Sequence, residues 1–155
     1  MKIELQDKLI SKYPKILDRK ILLDGGIACG DGWYMLLDEL CQHLQFNTDH
    51  NNRKERGNEG RYPQVVAIQV KEKFGGLRFY IDSCSDYQNG TISFAESMSF
   101  NICEDCGSTD DVTLTDGGWY RSLCPKCRGD LPLLKDRQFS KKVLDSKLFK
   151  KNREK

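Results

Sequence analysis

The chain has 155 residues, 38% apolar and 31% charged, which suits one soluble globular domain with a modest core and room for a small appendage. No apolar run approaches the length of a transmembrane helix, and the start MKIELQDKLISKYP has no long apolar stretch of the kind a signal peptide carries. The net charge of +2 is uneven: Leu131 to Lys155 holds nine Lys/Arg against three Asp/Glu, so that tail carries +6 and the preceding 130 residues carry −4.

In chain order, Lys2 to Tyr13 sets Leu5 and Leu9 at i, i+4 with Ile10 and Tyr13 beside them, predicting a short amphipathic helix. Pro14 ends it, because the residue before a proline is pushed out of helical geometry. Ile16 to Leu23 reads as irregular apolar chain and Asp24 to Gly26 as a turn. The strongest helix follows in CGDGWYMLLDELCQHL, where Trp33, Leu36, Leu37, Leu40, Cys41 and Leu44 form one apolar stripe. Asp31 reads as its N-cap. Gly30 and Gly32 also allow a pocket there, since glycine lets a ligand approach the backbone. Asn47 to Arg61 has no large apolar residue and reads as a polar loop, either lid or linker.

The period then changes. QVVAIQVK and LRFYID read as two strands of an antiparallel hairpin turned by Gly-Gly. Leu77, Phe79 and Ile81 share one face, and Arg78, Tyr80 and Asp82 the other. With Lys71, Lys73 and Phe74, the hairpin is basic and aromatic together. Asp86 to Gly90 reads as a turn, with Ser93 and Glu96 as a capping box. Ile92, Ala95, Met98 and Ile102 then predict a helix leading to the cysteines. In the tail, Phe139, Val143, Leu144 and Leu148 predict one more amphipathic helix.

Cys103-x2-Cys106, seventeen residues, then Cys124-x2-Cys127 is four-cysteine zinc spacing. Each C-x-x-C turn puts two thiolates on one side of a knuckle, and two knuckles complete a tetrahedron. Gly107 suits the positive φ that a knuckle often needs, and Pro125 stiffens the second pair. Val112 to Leu114 and Trp119 to Leu123 are the expected strands of a zinc ribbon. The same ligands suit a rubredoxin-type iron site, and zinc is the expected metal. A site closed by four protein ligands is structural by default. The remaining cysteines, Cys29, Cys41 and Cys84, are expected as buried thiols, because an odd count without an export signal fits a disulfide framework poorly. No nucleophile–base pair, phosphate loop, H-E-x-x-H or dinucleotide fingerprint occurs, so no residue is assigned a catalytic role.

KYPKI, CGDGWYMLLDELC, PQVVAIQVKEKFGGLRFY, AESMSFNICEDCG and the late GGWYRSLC together resemble a family of small proteins from tailed bacteriophages and prophages, from about Tyr13 to Cys127. The resemblance implies a bacterial cytoplasmic setting and brings no activity with it. Members of that family carry a longer insertion where this chain has NTDHNNRKERGNEG. Many end the second metal pair in histidine, where this chain has Cys127.

The expected architecture is α+β: helices packed on a small antiparallel hairpin over residues 1–102, a zinc ribbon over 103–130 and a basic, helical tail over 131–155. The leading functional expectation is a phage-encoded accessory protein that binds a host component, in counter-defence or host takeover. Its expected surface joins Asp31 and Trp33 to Lys73, Arg78 and Tyr80, and one form of it is a nucleotide pocket. A second expectation is nucleic-acid binding through Arg121, Lys126, Arg128 and the tail. A third is an enzyme, which needs a pocket holding a group of displaced pKa. No membrane partner is expected.

Overall fold

A computed structural model describes residues 1–53, 57, 62–116 and 118–134, and besides two 3-10 turns at Leu23–Gly25 and Asp31–Trp33 these residues form nine helices and strands. They are α1 (Ile3–Lys12), β1 (Ile27–Ala28), α2 (Tyr34–Asn51), β2 (Ala67–Lys73), β3 (Gly76–Ile81), α3 (Asp86–Ser99), β4 (Thr113–Leu114), β5 (Ser122–Leu123) and α4 (Pro125–Arg128). Helices pack on a three-stranded sheet, and a two-stranded ribbon carries the cysteine pairs. No helix among the described residues is long and apolar enough to cross a membrane.

α1 stops at Lys12, as Pro14 requires. It buries Leu9 and is tied to α2 where the Tyr13 hydroxyl donates to Asp38 at 2.8 Å. The stripe on α2 is the main core: Trp33, Leu37, Leu40, Cys41 and Leu44 are all buried, against Ile16, Leu17 and Leu22 of the irregular segment. Burial pushes the Cys29 thiol up to about 12 and the Cys41 thiol higher still, so both behave as small apolar side chains. The polar loop expected from Asn47 begins later, because α2 continues to Asn51. Thr48 holds that last turn in the core. Its hydroxyl donates to Leu44 O at 3.0 Å and accepts from Gln88 on α3 at 2.9 Å. Residues 54–56 and 58–61 of that loop, and the helix expected in the tail, lie outside the described residues.

The sheet is mixed rather than purely antiparallel. β2 and β3 form the expected hairpin, and the two-residue β1 adds to β2 in parallel through Ile27↔Val70. The hairpin turns on Phe74 and Gly75, at φ +55° and +77°, and not on the Gly-Gly pair. Two successive positive φ values are what a two-residue primed turn demands. Gly76 instead opens β3, where a Cβ would lie 2.3 Å from the Phe100 ring.

α3 starts earlier than expected. Ser85 is its N-cap, and a reciprocal capping box with Gln88 replaces the turn expected over Asp86 to Gly90. Glu96, expected in a capping box with Ser93, instead covers the outer edge of β3. Phe79 N donates to Glu96 Oε1 at 2.8 Å and Leu77 N to Ser99 Oγ at 2.9 Å. An exposed strand edge is thereby closed by side chains. Burial raises the Glu96 carboxyl above its ordinary value, opposed by the Phe79 N–H and Arg78. The folded state therefore holds the Glu96 proton more tightly than the unfolded chain, and this carboxylate weakens the fold as pH rises above about 4.5. Glu96→Gln is expected to keep the Phe79 acceptor and to gain on the wild type between pH 4 and 7 in urea melts. Glu96→Ala is expected to cost about 1–3 kcal/mol by orphaning that N–H.

Candidate metal centre

The ligand atoms of Cys103, Cys106, Cys124 and Cys127 all lie within 4.8 Å of one another, close enough to share one metal ion. Each knuckle is built locally. Gly107 N donates to Cys103 O at 2.9 Å with Gly107 at φ +78°, the left-handed position expected there. Pro125 opens α4, and the amides of Cys127 and Arg128 both donate to Cys124 O. β4 and β5 pair antiparallel between the knuckles. The four thiols crowd one another: the Cys127 backbone N–H holds the Cys124 thiol below its ordinary value, while Cys106 and Cys127 are pushed above theirs. Cys103, Leu123 and Cys124 form a small core of their own, with Val112 and Cys127 packed against it.

The body holds this unit through the two glycine motifs. Gly32 N donates to Glu104 O at 2.8 Å, and Gly30 N to Glu104 Oε1 at 3.0 Å. A Cβ on Gly32 would lie 2.1 Å from Cys103 O and 2.4 Å from Gly107 N; one on Gly30 would lie 2.2 Å from Glu104 O. The backbone that approaches these glycines is the chain's own first knuckle. Glu104 is buried, which raises its carboxyl, while Arg121 at 3.3 Å acts to lower it. At the hairpin tip, Ser122 Oγ donates to Gly75 O at 2.6 Å, and Leu114 fills the space a Cβ on Gly75 would take.

The expected binding surface is not assembled. Trp33 is fully buried, and its indole N–H donates to Ile102 O at 2.9 Å, just before the first knuckle. Arg78 is only 6% exposed, its guanidinium donating to Leu77 O at 2.6 Å. Asp31 does not cap α2: its carboxylate accepts from Lys2 N at 2.7 Å and faces the Lys2 ammonium at 3.3 Å. Lys73 and Tyr80 remain exposed, on the hairpin.

Two clefts stand out among the described residues. One, of about 600 Å³, runs between α2 and α3 and is walled by Leu36, His43, Tyr87, Phe94 and Met98. The other, of about 460 Å³, lies between the hairpin tip and the ribbon. Trp119, expected only as a strand residue, is 67% exposed in its wall. The signal was present in WY, two adjacent aromatics, because a strand sends neighbouring side chains to opposite faces and only one of the two can point inward. No family model, no curated protein and no solved structure matches the chain.

Proposed function

We propose that the chain is a non-catalytic binding protein in which Cys103, Cys106, Cys124 and Cys127 hold one structural zinc ion. The observation that carries this reading is the closed set of four sulfurs. Cys106 and Cys124 are 3.7 Å apart, against about 3.8 Å for two corners of a tetrahedron with zinc–sulfur bonds of about 2.3 Å. Four thiolates leave no position for water or substrate, so the ion serves the fold. Cys29, Cys41, Glu96 and Glu104, four of the groups with displaced pKa, serve packing and backbone hydrogen bonds and line neither cleft described.

The resemblance to tailed-phage proteins adds the setting: an accessory protein in the bacterial cytoplasm that binds a host component, in counter-defence or host takeover. The nucleic-acid reading through ribbon and tail has less support from the ribbon's cations, and its tail lies outside the described residues from 135 on. Arg121 is engaged by Glu104 and Asp105, and Arg128 donates to the Thr113 hydroxyl at 2.6 Å, which leaves Lys126 exposed. Metal analysis of purified protein is expected to find about one zinc per chain. A folded chain free of metal would overturn the zinc assignment. Affinity capture from infected cells is expected to recover a host component, and a catalytic turnover of any captured small molecule would overturn the non-catalytic reading.

A further inference from the structure

The cleft between hairpin and ribbon combines three features. Its lining carries Phe74, Trp119 and Tyr120 together with Lys71 and Lys73. Trp119 is exposed but not loose, because its indole N–H donates to Glu72 Oε2 at 2.8 Å. The other oxygen of that carboxylate accepts Gly75 N at 2.6 Å, so Glu72 is occupied by its own turn and by the indole. Phe74 stands at a positive φ that Asn, Asp or Gly adopts at lower cost, yet the residue is 45% exposed and its ring lies 6.5 Å from that of Tyr120. The Lys73 ammonium is 5.5 Å from the Phe74 ring centroid, and the Lys71 ammonium 5.6 Å from that of Tyr80.

Oriented, solvent-facing rings beside two ammonium groups complement a flat π-system that carries negative charge. The volume lies within the range of small-ligand sites. We propose that this cleft binds a nucleobase bearing phosphate, with the base stacked on Trp119 and Phe74 and the phosphate met by Lys71 and Lys73. The assignment rests on the reading of the chain as a binding protein and names the chemistry of what it binds. A free nucleotide and a single-stranded nucleic acid share that chemistry. The α2–α3 groove offers apolar walls without such a pair of cations.

Tryptophan emission reports on this cleft, since Trp33 is fully buried and Trp119 faces solvent. The zinc-loaded full chain would be titrated with AMP and, separately, with an oligothymidylate of about twelve nucleotides, a length within the span of one single-strand site. Quenching of the exposed emission is expected, weaker at about 200 mM than at about 50 mM salt. Quenching by AMP identifies a free nucleotide as the source, and quenching by the oligonucleotide alone identifies a strand. The Lys71→Ala/Lys73→Ala double variant, and Trp119→Ala followed by calorimetry, should each lose at least about tenfold in affinity. The absence of quenching by both ligands, or undiminished binding in both variants, would overturn the proposal. Metal analysis on the same samples separates the two readings: full zinc without quenching removes the nucleotide and leaves the structural site, and quenching by a chain without zinc does the reverse.

Discussion

Serine at both Cys103 and Cys124 is expected to unfold residues 103–130 while the helices and three-stranded sheet persist. Serine supplies no thiolate, and two remaining sulfurs cannot close a tetrahedron. Apart from its hydrogen bonds to the body, the ribbon has little apolar packing of its own. Its core is Cys103, Leu123 and Cys124, two of which are the ligands themselves, and its strands are two residues each. Segments of this size seldom fold without a metal or disulfide. Structural zinc contributes on the order of 10 kcal/mol or more in comparable small units. The body keeps a separate core running from Leu9 to Ala95. In amide NMR spectra, signals from 103–130 should collapse to random-coil positions while those of α2, β2 and β3 stay dispersed. Proteolysis should leave a fragment ending near Ile102. Dispersed ribbon signals in the double variant would show that metal is not what folds it.

Gly32→Ala should reproduce much of this defect with every cysteine in place. The added methyl would meet three backbone atoms, Cys103 O, Gly107 N and Glu104 O, none of which can rotate away. Overpacking against side chains costs about 1–3 kcal/mol, and a rigid backbone wall puts this variant at about 3 kcal/mol or above. Gly90→Ala is the matched control. Gly90 lies inside α3 with no atom within 4 Å of the added Cβ, so alanine there should stabilise by about 0.5–1 kcal/mol. Thermal melts of the two variants should move in opposite directions. If Gly32→Ala melts with the wild type and keeps its metal, the knuckle does not rest on the GDG backbone.

The contrast between these glycines shows what the sequence could and could not reveal. The cysteine pairs were legible because chelation is local: two residues between ligands fix a knuckle wherever the chain goes. The α2 stripe was legible for the same reason, since a period of 3.6 needs no knowledge of the partner. Ile27–Ala28 was not, because a two-residue strand has no period and becomes a strand only beside Val70, some forty residues later. The turn read at Asp86 to Gly90 failed on competing local signals: Asn89-Gly90 looks like a hairpin turn, and Ser85 with Gln88 outweighs it by capping. Gly30 and Gly32 marked a place where backbone comes close, but a sequence does not say whose. Arg78 was placed on the correct strand, and only the packing around β3 puts it in the interior.

The Glu72 carboxylate joins Gly75 of the hairpin turn to an indole carried by the ribbon, so the two walls of the cleft belong to different units: one with its own apolar core, the other built around the four cysteines. A molecule held by both walls and the ion held by the four sulfurs are then coupled by thermodynamic linkage. On the proposed reading, each would strengthen the apparent affinity of the other by the same factor, and occupancy of the cleft would follow the supply of the metal.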